Sequence, residues 1–148
     1  MSTKQQISLK ELERGQVGDS VTLDECLNSL KYNDDGLVPA IAQQYDSGEV
    51  LMMAWMNQSA IKETLSTGQV CYWSRSRQDY WRKGQESGNW QKLKSMKIDC
   101  DGDTLLLSVD QQGAACHTAR RHCFYLVVDG DKVSINDEPM VDPDSLYK

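Results

Sequence analysis

Two apolar runs separated by a four-residue polar turn constrain the fold of this chain more than any other feature. The first run covers residues 37–45 and the second covers residues 50–56, with Asp46-Ser47-Gly48-Glu49 between them. Asp, Ser and Gly favour turns because they tolerate or stabilise tight backbone conformations. Each run has the length of an ordinary strand. The pattern therefore predicts a β-hairpin and, with it, an antiparallel sheet.

Two short helices are predicted on either side of this hairpin. Apolar residues recur at helical spacing across residues 23–30, directly after Thr22, a residue type that caps helices. A second helix is expected over residues 59–66, where Asn57 can cap the start and Gly68 can end the helix.

The other apolar runs are short and predict strands. They cover residues 70–73, 93–98, 104–109 and 123–128. Residues 74–90 are polar and rich in Arg, Gly and Trp, so a loop-dominated functional stretch is expected there. Together these elements predict an α+β fold, built mainly of short antiparallel strands with a few short helices.

Length and composition predict a single domain over residues 1–148, with a flexible start over residues 1–20 and a peripheral tail from about Pro139. Hydrophobic residues make up 39% and charged residues 26%, as in folded globular proteins. A net charge of −6 argues against a nucleic-acid partner, which needs a basic stripe. No apolar run approaches the roughly 20 residues that span a bilayer, and no signal-peptide pattern is present. We therefore expect no membrane partner and a cytoplasmic location.

The five cysteines are predicted to be reduced thiols, because their number is odd and no secretion signal precedes them. Cys26 and Cys71 lie in apolar runs, which favours packing. On one straight helix Cys116 and Cys123 would lie about 10 Å apart, too far for one zinc ion, so a shared site needs a chain reversal. With Cys100 as a third thiolate, a fourth position would remain for water, as in catalytic zinc sites. The alternative is free cysteines that bind no metal.

The segment Asp99-Cys100-Asp101-Gly102-Asp103 combines carboxylates with a thiol. In an extended segment side chains alternate between faces, so the three aspartates would share one face and Cys100 would lie on the other. Carboxylates favour hard cations such as Mg²⁺, whereas thiolates favour zinc. The segment is therefore able to serve two metals on opposite sides. An acidic β-turn that faces water is the alternative.

His117 follows Cys116 directly, where an imidazole can shuttle a proton near a water activated by a metal. Packing or plain hydrogen bonding is the alternative for such a histidine. Nothing beyond proximity supports the same role for His122.

A basic cluster in this acidic chain predicts a site for an anionic small molecule, since arginine forks fit phosphate oxygens and Ser and Gly add donors. Its members are Ser74, Arg75, Ser76, Arg77, Trp81, Lys83, Gly84, Arg120 and Arg121. A solvated surface is the alternative. Trp55 is expected to pack within its apolar strand, whereas Trp73, Trp81 and Trp90 border the basic segment and either stack on a base or pack at the edge of the core.

Five motifs taken together resemble a known family. They are Tyr72-Trp73-Ser74-Arg75-Ser76-Arg77, Trp81-Arg82-Lys83-Gly84, Ser87-Gly88, Asp99-Cys100-Asp101-Gly102-Asp103 and Cys116-His117-Thr118-Ala119-Arg120-Arg121. They occur in the order seen in phosphoribosyl-AMP cyclohydrolases, and the resemblance covers about residues 36–128. It implies a hydrolase of histidine biosynthesis that opens the adenine ring of 1-(5-phosphoribosyl)-AMP at the N1–C6 bond.

The resemblance also implies an intertwined homodimer with shared active sites. It assigns zinc to Cys100, Cys116 and Cys123, contributed from both chains across the interface. It assigns Mg²⁺ to Asp99, Asp101 and Asp103, and the role of general base to His117.

Two positions depart from the family pattern. Gln85-Glu86 stands where the family usually has Glu followed by a small residue, and His122 stands where a small residue is common. A carboxylate role at position 85 is therefore in doubt, although Glu86 is close enough in sequence to substitute. A non-catalytic zinc-stabilised binding module is the alternative function. A thiol redox protein is disfavoured, because the chain has no Cys-x-x-Cys.

Overall fold

A computed structural model describes residues 9–145, whose eight strands form two sheets. The strands are β1 (Val38–Gln44), β2 (Val50–Met56), β3 (Cys71–Ser74), β4 (Asp79–Arg82), β5 (Gln91–Ile98), β6 (Leu105–Gln111), β7 (Leu126–Asp129) and β8 (Lys132–Ile135). The helices are α1 (Leu23–Ser29) and α2 (Gln58–Thr67), and 3-10 turns cover Glu11–Arg14 and Pro143–Ser145.

Six strands form one curled sheet in the order β4-β3-β2-β1-β6-β5. Only β1 and β6 are parallel neighbours; the other four adjacent pairs are antiparallel. The start of β5 also contacts the segment that joins α2 to β3. The Leu93 N–H donates to the Gly68 carbonyl at 2.7 Å, and Gln69 forms an antiparallel bridge with Lys92. The α+β class and the mainly antiparallel strands are therefore confirmed.

The hairpin that dominates the sequence pattern is confirmed as β1 and β2. Both predicted helices are present as well, with the predicted caps. The Thr22 hydroxyl accepts the Glu25 N–H at 3.2 Å, and the Asn57 side chain accepts the Ala60 N–H at 2.8 Å. Helix α2 ends at Gly68, whose φ of 78° is the left-handed conformation that glycine adopts without strain.

The loop prediction for residues 74–90 is wrong in part, because β4 lies inside that stretch. Trp73 pairs with Tyr80 across β3 and β4, with ring centroids 5.1 Å apart in an edge-to-face arrangement. Cross-strand aromatic pairs stabilise short strands, but the polar residues around them hide the strand from a hydropathy pattern. The last strand prediction also shifts, since β7 begins at Leu126, and β8 was not predicted.

The core lies within the curl of the sheet. Along β1 and β6 every second residue is buried, the period of a strand with one face in the core. The buried side chains of these strands and the helices include Cys26, Leu27, Val38, Ala40, Ala42, Ala60, Ile61, Leu105, Leu107 and Val109. Cys26 and Cys71 belong to this core cluster, as their apolar surroundings in the sequence predict.

The second sheet, β7 and β8, lies outside this core. All eight of its residues are exposed, among them Val128 at 72% and Ile135 at 65%. A two-stranded hairpin alone is marginally stable in water. Within the described part of one chain, the apolar side chains of this hairpin are therefore not covered by other residues as the core side chains are.

Within residues 9–145, no helix combines the length and the apolar character that a membrane crossing requires.

Thr64 provides a test of how α2 is fixed to the sheet. Its buried hydroxyl accepts the Cys71 N–H at 2.9 Å and donates to the Ala60 carbonyl at 2.8 Å. Thr64→Val keeps the shape but leaves the Cys71 N–H without its acceptor, so the free energy of unfolding should fall by about 1–3 kcal/mol in urea denaturation.

The matched control is Thr67→Val, later in the same helix. The Thr67 hydroxyl donates to the Glu63 carbonyl at 2.9 Å and accepts the Gln69 N–H at 3.1 Å, both at exposed positions, where water can replace it. The expected change there is below about 0.5 kcal/mol. Equal losses in the two variants would contradict this account of the buried contact.

Candidate functional site

The chain reversal that a shared site at Cys116 and Cys123 requires is present. The Ala115 N–H donates to the Arg121 carbonyl at 3.0 Å, and the Cys116 N–H donates to the Arg120 carbonyl at 3.1 Å. Ala119 turns the chain with a φ of 68°, an unusual value for a residue with a side chain. The segment from 115 to 123, called the thiol loop below, thus folds back on itself.

The thiol loop brings two soft ligand groups together. Cys116 is buried and Cys123 is half-buried. Burial, and next the neighbouring Cys116 thiol, raise the pKa of the Cys123 thiol to about 12. The Thr118 hydroxyl lies 3.0 Å from the Cys116 sulfur as a hydrogen-bond donor. A thiol pair in this arrangement suits a metal that favours sulfur, such as zinc.

Lys83 lies against the thiol pair. Its side chain is buried, and its ammonium donates to the Ala115 carbonyl at 2.6 Å. The same ammonium lies 5.3 Å from the centroid of the Trp81 ring. Burial lowers the pKa of Lys83, while the Cys123 and Cys116 thiols act in the opposite direction. The Lys83 amine is therefore placed where thiolates would need a counter-charge.

Cys100 lies apart from this pair, in the exposed turn between β5 and β6. Its sulfur and the carboxylates of Asp99 and Asp101 lie within 4.8 Å of one another, the one such group of three among residues 9–145. One chain therefore brings together two of the three predicted zinc ligands and leaves the third elsewhere.

The predicted alternation of faces over residues 99–103 is wrong, because the segment is a turn and not an extended strand. The Asp101 N–H donates to the Asp99 carboxylate at 3.0 Å, which closes the turn and is the main cause of the lowered pKa of Asp99. A hydrogen bond with Asp99 raises the pKa of Asp103. The carboxylates and the thiol therefore share one exposed site instead of opposite faces.

The two histidines differ in their surroundings. His117 is exposed in the thiol loop, next to Cys116. His122 is held in place: its Nε2 lies 3.1 Å from the Asp137 carboxylate, and its Nδ1 accepts the Phe124 N–H at 3.2 Å. Only His117 presents an imidazole to solvent.

Seven of the nine members of the basic cluster line one of two cavities, and Trp81 lines both. The smaller, of about 210 Å³, is lined by Arg77, Trp81, Lys83, Gly84, Glu86 and Ser87. The larger, of about 420 Å³, is lined by Met53, Ala54, Trp55, Trp73, Ser74, Arg75, Ser76 and Trp81. Glu86 lines the smaller cavity, so a carboxylate is present there despite Gln85.

Glycine is required at position 84 beside the smaller cavity. Its φ is +94°, and a Cβ there would lie 2.6 Å from the backbone of Trp90. The turn after β4 therefore closes tightly against the chain before β5, which holds Lys83 at the cavity wall.

Trp55 lies at the larger cavity and not in the core. It is half-buried, pairs with Trp73 across β2 and β3, and carries the Arg75 guanidinium 4.9 Å from its ring centroid. The apolar run around it concealed this role. No sequence signal marks it, because the residues of β2 are apolar on both faces of the strand.

The last two members of the basic cluster lie in the thiol loop, away from both cavities. The Arg120 side chain donates to the Asp137 carbonyl at 2.6 Å and lies over the Tyr125 ring. Arg121 contacts Glu49 and two backbone carbonyls. The structure thus does not bring these two arginines together with the rest of the cluster.

Comparison with known proteins decides the family. The family model for phosphoribosyl-AMP cyclohydrolase matches residues 52–125. The chain belongs to the phosphoribosyl-AMP cyclohydrolase family. It is 58% identical to the phosphoribosyl-AMP cyclohydrolase of Hydrogenovibrio crunogenus over 144 residues, which covers 97% of this chain and 98% of that protein.

Other cyclohydrolases are comparably similar. The protein of that name from Alcanivorax borkumensis is 59% identical, over 93% of this chain and 97% of its own length. The one from Magnetococcus marinus is 64% identical, over 82% of this chain and 94% of its own length. Every candidate site residue, from Ser74 to Cys123, lies within the segment that the cyclohydrolase family model matches.

Proposed function

We propose that this chain is a phosphoribosyl-AMP cyclohydrolase, which hydrolyses the N1–C6 bond in the adenine ring of 1-(5-phosphoribosyl)-AMP in histidine biosynthesis. The observation that carries the proposal is its 58% identity to a protein of that name over 97% of the chain. Similarity of that extent includes the thiol loop, the acidic turn and both cavities, not the fold alone.

Zinc is proposed to be held by Cys116 and Cys123 of one copy and Cys100 of a second copy. The first two supply soft ligands side by side, and the buried Lys83 offsets their negative charge. Cys100 is exposed on a separate turn, accessible to another molecule. When bound, zinc lowers the pKa of a water towards about 7 and so makes it a nucleophile at neutral pH. Such ligands must stay reduced, which favours a cytoplasmic enzyme.

A homodimer is proposed on two grounds. The thiol set is incomplete within the described part of one chain, since Cys100 lies apart from Cys116 and Cys123. The β7–β8 hairpin also exposes Leu126 at 56% and Val133 at 61%, apolar surface that a second copy can cover. One dimer interface would complete the site and bury the hairpin together.

The acidic turn is proposed to hold Mg²⁺ through Asp99, Asp101 and Asp103. Oxygen ligands suit this cation, and a bound divalent charge would relieve the contact in which Asp99 raises the pKa of Asp103. Because Cys100 lies in the same turn, the carboxylates would reach the substrate beside the thiol set.

The two cavities are proposed to hold the substrate. Arg77 supplies positive charge for one phosphate, with the Gly84 turn and Ser87 beside it. Ser74, Arg75 and Ser76 supply donors in the larger cavity, where Trp81 and two more indoles offer flat surfaces for a base.

The proton transfers are assigned to His117. Water adds its oxygen to C6, and the bond between C6 and N1 breaks. The exposed imidazole would accept a proton from the attacking water and return it to the departing N1. Its position next to Cys116 keeps it beside the thiol pair.

The first test is turnover of phosphoribosyl-AMP by zinc-loaded protein, together with its zinc content. Changing Cys100, Cys116 or Cys123 to Ala should lose both zinc and turnover, because thiolates dominate the affinity of such a site. Cys26→Ser is the control and should keep its zinc. Zinc retained without any turnover by the unaltered protein would indicate a binding module and contradict the proposal.

A second test separates the two metals. Asp101→Asn should keep its zinc and lose activity that added Mg²⁺ partly restores, since it weakens a hard-ligand site. His117→Ala should keep both metals and slow the chemical step by roughly 10²–10⁴-fold, the usual contribution of general acid–base catalysis. Turnover against Mg²⁺ concentration and elemental analysis measure these effects. Loss of zinc from Asp101→Asn with an unchanged Mg²⁺ response would mean that the two assignments are reversed.

A further inference from the structure

Arg121 occupies the returning limb of the thiol loop, between Cys116 and Cys123. One nitrogen of its guanidinium donates to the Gln111 carbonyl at 2.9 Å and to the Gly113 carbonyl at 2.8 Å. Its Nε donates to the Glu49 carboxylate at 3.3 Å. The backbone carbonyl of Arg121 accepts the Ala115 N–H at 3.0 Å. These contacts join three separate parts of the chain.

The three parts are those that set the shape of the thiol loop. Gln111 ends β6, and Gly113 lies in the chain that leads into Cys116. Glu49 precedes β2, where the Leu51 carbonyl accepts the Cys123 N–H at 2.7 Å. Arg121 therefore fixes the outgoing limb of the loop, the returning limb and the strand on which the returning limb is anchored.

Because of these contacts, Arg121 is poorly suited to bind a phosphate. Its positive charge is paired with Glu49, and NH1 is committed to two backbone carbonyls. Arg77 lines the smaller cavity and is more than half exposed, and its ion pair with Glu86 is longer, at 3.7 Å, and has no backbone carbonyl beside it among the contacts of the described residues. The two arginines are thus suited to different tasks.

We propose that Arg121 is a positioning residue that holds the Cys116 and Cys123 sulfurs at the separation a zinc ion needs, and that it does not contact the substrate. This rests on the proposed zinc-dependent function. Zn–S bonds of about 2.3 Å in tetrahedral geometry require sulfurs about 3.8 Å apart. A loop closed only by its backbone hydrogen bonds would open more readily, and each opening separates the ligands.

The test compares Arg121→Met with Arg77→Met. Zinc affinity is measured by competition with a chromophoric chelator, and kcat and KM for phosphoribosyl-AMP are measured at saturating zinc. Arg121→Met should weaken zinc binding by about 10–100-fold, the usual effect of losing a group that orients metal ligands, with KM changed by less than about 3-fold. Arg77→Met should raise KM and leave zinc affinity unchanged. An Arg121→Met protein with unaltered zinc affinity and a raised KM would overturn the proposal.

Two further measurements keep the outcome interpretable. Cobalt(II) substituted for zinc reports ligand geometry through its visible spectrum, which a loss of general stability would not alter; Arg121→Met should change it. Glu49→Gln, a milder substitution, should weaken zinc binding in the same direction, and full zinc affinity in that variant would count against the proposal. Zinc affinity and the cobalt spectrum need no substrate, so they remain decisive even if the protein fails to turn over phosphoribosyl-AMP.

Discussion

The reversal of the thiol loop is the constraint on which the rest of the site depends. It requires Ala119 at a φ of 68° and a backbone ladder between residues 115–116 and 120–121. The reversal places Cys116 beside Cys123, with the buried Lys83 amine next to them. Two thiols beside a basic side chain form a pair that a divalent cation favouring sulfur could bind.

The proposed metal ligands lie in two places in the chain. Soft sulfur ligands lie in the thiol loop, and hard carboxylates lie in the turn between β5 and β6, where Cys100 is the exception. If that turn enters the thiol loop of a second copy, Cys100 completes the zinc site and the aspartates arrive at the substrate with it.

The sequence predicts those elements whose signals lie within a few neighbouring residues. The β1–β2 hairpin, the caps at Thr22 and Asn57 and the glycine that ends α2 each depend on neighbouring residues. The acidic turn does not follow the predicted alternation, because alternation assumes an extended backbone, whereas here the Asp99 carboxylate accepts the Asp101 N–H and closes a turn. Trp55 at the cavity and the contacts of Arg121 depend on segments far apart in sequence, such as Glu49 and Gln111, which no local pattern reveals.

The proposed active site takes ligands from two chains, and mixing two inactive variants tests this sharing most directly. Cys100→Ala and Cys116→Ala should each be inactive alone. Unfolded and refolded together, they should regain about a quarter of the unaltered activity, because about half of randomly paired dimers are hybrids and each hybrid has one intact site. Cys116→Ala mixed with Cys123→Ala should stay inactive, because each chain of the hybrid then lacks one cysteine of its own thiol loop and neither site is complete. No recovery in the first mixture would contradict the account.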